Sequence, residues 1–280
     1  ADRVTVDGAI TANGEYASGP DYYGANSGSG GGIWITCRRI AGSGGRVCAN
    51  GGAARSVSWH VTGGGGGRVA VRYDPAAQGV EALPGVMFEA LPGWNVAAAN
   101  VGVYDLGDIG SLWFPDTRFW SEDMSCLQGQ LFGTNAWSVA ALTLADRWVG
   151  FSEEGFALTV AGDVSLSGAK AGLSLGGPLS FNHSGGGAAG NGQHRYGEGV
   201  PAVLAVGGNL AITNRSRMFV YSAATNASHP DCGARVSVGG VLRVETNAVL
   251  YLSSHPTNGG SARLEVGSLA VAAGGLIRAD

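Results

Sequence analysis

A strand–corner–strand unit that recurs through the C-terminal half constrains the fold of this chain more than any other feature. The segment Leu158–Leu166 reads LTVAGDVSL, and it aligns with LAVGGNLAI at Leu204–Ile212 and with VSVGGVLRV at Val236–Val244. A fourth copy, LEVGSLAV at Leu264–Val271, is one residue shorter. Internal repeats of a few tens of residues indicate a solenoid, so they take precedence over local patterns in predicting the fold.

Each copy is followed by another short apolar segment, so every repeat holds three strands. Apolar residues two positions apart lie on one face of a strand. Valines at equivalent positions are separated by 46, 32 and 28 residues, so the repeat length varies while the strands persist. Three strands per repeat, with insertions at one corner, predict the triangular coil of a parallel β-helix. The equivalent valines are Val160, Val206, Val238 and Val266, and the third strands are Leu173–Leu175, Met218–Tyr221, Val249–Leu252 and Leu276–Ile277.

The main alternative fold is a β-sandwich, which also contains short strands. A sandwich does not require the same unit in series, so we favour the solenoid. Sustained helical periodicity is almost absent. Crossovers between parallel strands are nearly always right-handed, and glycine pairs suit sharp corners because glycine tolerates positive φ. The sequence therefore predicts an all-β fold: a right-handed parallel β-helix (solenoid) with Gly-rich loop insertions.

The repeats divide the chain into three predicted parts. Residues 1–74 form N-terminal Gly-rich coils, interrupted by long Gly-rich excursions at 14–32 and 52–67. Residues 75–136 form an irregular insertion or a segment where the register changes, because four prolines interrupt any continuous ladder there. Residues 137–280 form the regular C-terminal coils.

Composition excludes several classes of protein. Glycine contributes 50 of 280 residues, yet 45% of the chain is hydrophobic and only 14% is charged, which argues against disorder. The 17 basic and 21 acidic residues form no basic stripe, so we expect no nucleic-acid partner. No run of about 18 apolar residues appears, so we expect no transmembrane helix.

The four cysteines, Cys37, Cys48, Cys126 and Cys232, lack the CxxC spacing of zinc and redox sites. In an exported protein Cys37 and Cys48 can pair across one coil. The alternative, which we favour, is that all four are small buried hydrophobic residues. We therefore predict neither a cofactor nor a metal site.

The N-terminal segment combines GSGGGIWITCRRIAGSGGRVCANGG with GGGGGRVAVRYD. This combination resembles repeats in large Gly-rich bacterial surface proteins of the autotransporter-passenger and polymorphic outer-membrane type. The later segments GSLWFPD, WSV and EEGF are similar to the same family. The resemblance implies export and a β-helix, and it implies no particular reaction.

One loop collects the side chains that a polysaccharide lyase needs. An arginine beside a substrate carboxylate, with tyrosine or histidine taking the proton, is the required arrangement. If the chain is a lyase, His194, Arg195 and Tyr196 are the catalytic candidates. We favour the alternative, a polar loop extruded from a corner. The ligand-binding candidates in this loop are His183, His194, Arg195, Tyr196 and Glu198.

Tryptophans supply a second candidate for sugar binding. Trp113 and Trp120 lie in the irregular part, where exposed rings can stack on sugars, although packing is the default reading. Trp34, Trp137 and Trp148 lie in strand-like segments and are predicted to pack inward or to cap the core.

Neither end of the chain shows a capping helix or a charged cap, although an end coil exposes apolar core and unpaired strand edges. We therefore expect either a section of a longer β-helix or copies that stack end to end. A head-to-tail contact that does not close produces a filament. The predicted self-association edges are Val4, Val6, Leu269, Val271, Leu276 and Ile277.

These patterns favour a non-enzymatic structural or adhesive protein that is extracellular or on the bacterial cell surface. Its expected partner is itself, or further coils of the same chain. The alternative function is a carbohydrate-active β-helix, either a polysaccharide lyase, a glycoside hydrolase or a glycan-binding module, with extracellular polysaccharide as its partner. The convergence of the 182–198 loop with residues 113–123 in one groove would favour the alternative.

Overall fold

A computed structural model of the chain confirms the parallel β-helix predicted from the repeats. It describes residues 1–18, 27–55, 63–93, 107–177, 199–231, 233–255 and 260–279. The described residues form parallel strand ladders and one short helix. They divide into two compact units: an N-terminal unit of Ala1–Phe119 and Cys126–Leu131, and a C-terminal unit of Trp120–Ser125 and the chain from Phe132 onward.

The N-terminal unit contains eleven strands and one helix among its described residues. Its elements are β1 (Arg3–Thr5), β2 (Ala9–Thr11), β3 (Ala17–Ser18), β4 (Gly32–Thr36), β5 (Arg39–Ala41), β6 (Ser43–Cys48), β7 (Ala54–Arg55), β8 (Arg68–Arg72), α1 (Pro75–Gly79), β9 (Gly85–Glu89), β10 (Ser111–Trp113) and β11 (Leu127–Phe132).

The C-terminal unit contains thirteen strands in its described part. They are β12 (Ala136–Val139), β13 (Leu142–Ala145), β14 (Trp148–Phe151), β15 (Ala157–Val160), β16 (Val164–Ser167), β17 (Gly172–Leu175), β18 (Ala202–Val206), β19 (Leu210–Thr213), β20 (Arg217–Tyr221), β21 (Ala234–Val244), β22 (Val249–Ser253), β23 (Ala262–Val271) and β24 (Leu276–Ala279).

The C-terminal unit has the regular three-faced coil that its repeats predict. One face runs β12–β15–β18–β21–β23, a second runs β13–β16–β19–β21–β23, and a third runs β14–β17–β20–β22–β24, all parallel. Inward residues stack in columns, so that each apolar side chain covers its equivalent in the next coil. Leu158, Leu204 and Val236 form one such column, and each is fully buried.

Glycine is required at the corners of this unit because the backbones of neighbouring coils approach closely, and not because the corner needs a positive φ. A Cβ at Gly207 would overlap the carbonyl oxygen of Ala161, and one at Gly239 would crowd the carbonyl oxygen of Gly207. Neither glycine has a positive φ. The sequence-based explanation of these corners was therefore wrong in its mechanism: coils stack so tightly that no side chain fits between them.

The N-terminal unit builds similar ladders from shorter strands. β2, β6, β9 and β11 form one parallel face, and β4, β8 and β10 form another. Inward residues such as Ile40, Val47, Phe88 and Leu112 are fully buried. A face of β1 and β5 completes the coil, and it stops after two strands.

Most of the described glycines of the predicted excursions pack against neighbouring backbone. We call the six extended segments that form this packing the glycine bundle. Hydrogen bonds link each outgoing segment to its return segment and to the next coil, with N···O distances from 2.6 to 3.4 Å. The six segments are residues 12–15, 28–31, 49–52, 64–67, 90–93 and 107–110.

The central segment of the glycine bundle, residues 49–52, bonds to four neighbouring segments. Asn50 O accepts from Gly14 N and Ala49 O accepts from Gly67 N, while Gly51 N and Gly52 N donate to two further segments. A strand in a sheet has only two neighbours. Residues 49–52 therefore bond in more directions than a sheet strand does, and they hold neighbouring segments of the bundle together.

Side chains are excluded from the glycine bundle by its own backbone. A Cβ at Gly64 would overlap the carbonyl oxygen of Gly28, and one at Gly14 would overlap the same oxygen. Collagen requires glycine at its axis for the same reason. The glycine runs are therefore structural in the described residues, where sequence reasoning had treated them as loop insertions.

Helix α1 explains why the face of β1 and β5 ends. Asp74 caps the helix by accepting from Ala76 N and Ala77 N. Fully buried Gln78 accepts from Ile40 N at 2.8 Å and donates to Ile40 O at 3.1 Å. The amide thus makes both bonds that a third strand would make, and it closes the edge of β5.

The helix lies in the segment predicted to be irregular. Residues 75–136 contain α1 together with β9, β10 and β11, and all three strands join parallel ladders.

Candidate functional site

The last coil of the C-terminal unit is open on one side. We call β23 and β24 (Ala262–Val271 and Leu276–Ala279) the open coil. β23 pairs with β21 and β24 pairs with β22, and no described strand pairs with their other edges. Unpaired N–H and C=O groups along a strand are a template for another strand.

Apolar core residues of the open coil are also uncovered. Leu269 stacks on Leu242 and Val271 stacks on Val244 in the parallel register. Leu242 and Val244 are fully buried, whereas Leu269 is 53% exposed and Val271 is 46% exposed. The same apolar columns therefore end in solvent, where a further coil would bury them. Leu276, also predicted as an edge residue, is 47% exposed, and Ile277 is half-buried.

The first coil of the N-terminal unit is less exposed. Val4 is half-buried in β1, and the side chain of Val6 is buried. Each of β1, β2 and β4 has a single described partner strand. The next coil covers the side chain of Val6, with Gly42 and Gly45 close to its carbonyl oxygen. The predicted role of Val6 at a self-association edge stays a prediction.

Trp120 does not supply the exposed ring that was predicted to stack on sugars. It is only 6% exposed, and it packs against Trp137, Phe151 and Phe156 at ring-centroid distances of 5.7, 5.5 and 6.0 Å. The structure thus agrees with the other interpretation, in which Trp120 packs inside the protein. The burial of Trp137 likewise agrees with its predicted inward orientation.

Trp34 was predicted to pack inward or to cap the core, and it instead faces outward. It is 70% exposed, while its strand neighbours Ile33 and Ile35 are half-buried. Trp113, at the end of β10, is half-buried. The loop candidates His183, His194, Arg195, Tyr196 and Glu198 lie outside the described residues.

A buried carboxylate that sequence reasoning missed lies on the face of β6, β9 and β11. Glu89 is 4% exposed and accepts from Arg46 Nη2 at 2.6 Å, Cys48 Sγ at 3.3 Å and Gln128 Nε2 at 3.2 Å. Cys48, Glu89 and Gln128 are register partners, so they form one polar ladder. Three donors satisfy the carboxylate, which identifies the ladder as a structural network.

The surroundings of Cys48 in this network raise the pKa of its thiol. Burial, and secondly the charge of Glu89, raise the pKa of Cys48 to about 11. Arg46 and Cys126 line a shallow recess of about 320 Å³ beside the network, together with Met87. A thiol with a raised pKa is a poor nucleophile, so Cys48 has the properties of a structural cysteine.

Cys37 and Cys48 are buried free thiols, as their interpretation as small hydrophobic residues predicts. Cys126 is only half-buried, so the prediction that all four cysteines are buried is wrong for Cys126, and Cys232 lies outside the described residues. The described part of the chain contains no cluster of three or more His, Cys, Asp or Glu side chains arranged to hold a metal ion. No helix in the described ranges is long and apolar enough to cross a membrane.

A second ionisable group is buried near α1. The Tyr73 hydroxyl donates to Asp116 Oδ1, and burial raises the pKa of Tyr73. Arg118 Nη2 donates to the carbonyl oxygen of Glu81. These contacts hold residues 114–119 against the coil, so we assign Tyr73, Asp116 and Arg118 a structural role.

Comparison with known proteins identifies no relative. No family model matches the chain, and no curated protein and no solved structure shows significant similarity to it.

Proposed function

We propose that this protein is a structural β-helix that assembles head to tail, with the open coil of one copy receiving the first coil of the next. The observation that carries the proposal is the exposure of Leu269 and Val271 above fully buried Leu242 and Val244. Apolar columns that end in solvent gain stability when another coil covers them, at about 25 cal/mol for each Å² buried.

The first coil has the spacing that a further coil requires. Arg3–Thr11 reads RVTVDGAIT, and Arg235–Arg243 within β21 reads RVSVGGVLR. In the aligned segments Asp7 and Gly8 occupy the positions of the corner glycines Gly239 and Gly240. A copy of Arg3–Thr11 on the open coil would therefore continue the apolar columns with Val4, Val6 and Ile10. Because this contact joins two different surfaces, each pair of copies keeps one unused surface of each kind, so assembly continues beyond a dimer and produces a fibre where the contact does not close into a ring.

We place this assembly outside the cell or on its surface. The Gly-rich solenoid, the near absence of lysine and the resemblance to bacterial surface repeats support that location. A stalk or fibre of this kind needs no catalytic group, and the satisfied polar networks around Glu89 are consistent with a mechanical role.

Sedimentation velocity over a concentration series tests the assembly. Leu269→Glu and Val271→Glu place a charge in the contact, and Val200→Glu is a matched control because Val200 is a similarly exposed valine away from the open coil. We expect concentration-dependent assembly of the unmodified protein, loss of assembly in the two variants, and no change in the control. A protein that stays monomeric at high concentration, or assembly that persists in Leu269→Glu, would overturn the proposal.

A further inference from the structure

A row of side chains, exposed at Trp34 and half-buried at Ala70 and Trp113, crosses the outward face of β4, β8 and β10. The parallel register pairs Trp34 with Ala70, and Ala70 with Trp113. The two tryptophans are therefore two strand spacings apart, about 9.6 Å along the row. We call Trp34, Arg68, Ala70, Arg72 and Trp113 the tryptophan face.

The orientation of the tryptophan face follows from the strand alternation. Val69, Val71 and Leu112 are buried in the core, so their neighbours Ala70 and Trp113 lie on the opposite side of the sheet. Trp34 is 70% exposed, and its Nε1–H donates to Thr36 Oγ1 at 2.9 Å. This bond restrains the indole, so less conformational entropy is lost when a ligand stacks on it.

Small residues leave space between the two rings. Ala70 lies between the tryptophans, and its methyl group cannot fill the gap between two indoles. An extended ligand can therefore contact both rings and cross the alanine. The row runs perpendicular to the strands, so such a ligand would lie across β4, β8 and β10.

The tryptophan face is positively charged. Arg68 and Arg72 flank Ala70 on β8, both are exposed, and neither forms an ion pair with a carboxylate in the described residues. The remaining outward residues of these three strands, Gly32, Thr36 and Ser111, carry no charge. Arginine forms paired hydrogen bonds with planar carboxylates, so the face fits an anionic ligand.

We propose that the tryptophan face binds an extended acidic polysaccharide, such as a polyuronate. Sugar rings present C–H groups that stack on indole faces, and alternate rings of an extended chain recur at a spacing comparable to that of Trp34 and Trp113. Arg68 and Arg72 contact the carboxylates of the chain between the rings. The site does not use the apolar columns of the head-to-tail contact, because Trp34, Ala70 and Trp113 lie on the outward side of the sheet, opposite the buried Val69, Val71 and Leu112.

Isothermal titration calorimetry with defined-length oligogalacturonates tests the site, with neutral cello-oligosaccharides as the uncharged comparison. We expect Trp34→Ala and Trp113→Ala each to weaken oligogalacturonate binding about tenfold, which is 1.4 kcal/mol. Tyr16→Ala is the matched control, since Tyr16 is an exposed aromatic residue away from the face. Trp34 is at the surface, so circular dichroism should show an unchanged fold.

The two arginines provide a second test with a different signature. We expect the double variant Arg68→Ala/Arg72→Ala to weaken oligogalacturonate binding about tenfold and to reduce its salt dependence, while Arg235→Ala leaves both unchanged. Absence of oligogalacturonate binding, or binding that none of these variants alters, would overturn the proposal. If Trp34→Ala instead abolishes self-association with polysaccharide binding unchanged, the face is a contact between copies and the proposal is wrong.

Discussion

The two units form the same solenoid architecture, but different packing contacts stabilise it in each. In the C-terminal unit, columns of valine, leucine and isoleucine fill the coil, and each side chain covers its equivalent in the next coil. In the N-terminal unit, short strands are supplemented by the glycine bundle, which packs backbone against backbone. Stacking of coils can therefore be stabilised by apolar side chains or by a hydrogen-bonded backbone from which side chains are excluded.

The units also differ in how their strand edges are treated. α1 and Gln78 close one edge of the N-terminal unit, and ion pairs of Arg39 with Asp2 and Glu81 lie beside it. The open coil leaves the edges of β23 and β24 without described partners. Closed and open edges in one molecule indicate that lateral pairing is prevented at one place and remains available at another.

The largest expected effect comes from a methyl group in the glycine bundle. Gly64→Ala places a Cβ onto the carbonyl oxygen of Gly28, so we expect a loss of about 3 kcal/mol or more in the free energy of unfolding. Gly8→Ala is the control, because a Cβ at Gly8 meets nothing within 4 Å. Urea denaturation followed by circular dichroism measures both. Equal stability of the two variants would show that the bundle is not close-packed.

Truncation of a leucine to alanine at two positions of one apolar column compares a covered and an uncovered site in the C-terminal unit. Leu242→Ala creates a cavity at a fully buried site, and we expect it to cost about 2–5 kcal/mol. Leu269→Ala, the next position of that column, should cost about 1 kcal/mol or less in the monomer because Leu269 is half-exposed. Thermal unfolding at low protein concentration measures the difference. Similar costs would mean that the open coil is covered.

Closure of the β5 edge should have an intermediate effect. Gln78→Met keeps the side-chain volume and removes both hydrogen bonds to Ile40, leaving a buried N–H and C=O without partners. We expect a loss of about 2 kcal/mol. Gln130→Met provides the comparison, since half-buried Gln130 donates one hydrogen bond to Ile109 O. Guanidinium denaturation compares the two, and a smaller loss for Gln78→Met would contradict the capping role.

The smallest effect concerns pH. Burial raises the pKa of Cys48 to about 11, above the ordinary thiol value of 9.0. A raised pKa in the folded protein means that its contribution to stability is complete below pH 9 and is lost as the pH rises through 11. Cys48→Ser keeps a donor toward Glu89 and does not ionise in this range. We expect its stability to fall less between pH 9 and pH 11, measured by denaturation across that interval, and a parallel fall would exclude Cys48 as a cause.

Local sequence patterns predicted much of the fold but only part of the candidate sites. The repeated strand–corner–strand unit predicted the ladders of the C-terminal unit, because period-two alternation and a constant corner specify one coil at a time. The alternation Ile33-Trp34-Ile35 also carried the information that Trp34 and the isoleucines lie on opposite faces. Which of those faces is covered depends on residues distant in the chain, so Trp34 was assigned to the wrong side.

Sequence alone determined that the chain forms parallel coils, that its core columns are apolar, and that the last repeat is built like those before it. The tertiary structure decided which glycines pack against backbone, that Gln78 replaces a strand, and that Trp34 and Trp113 share one row. The division has a physical reason. Alternation and turn chemistry act between neighbours in sequence, whereas hydrogen bonds between segments about 40 residues apart, such as Gln78 with Ile40, exist only after the coils have stacked.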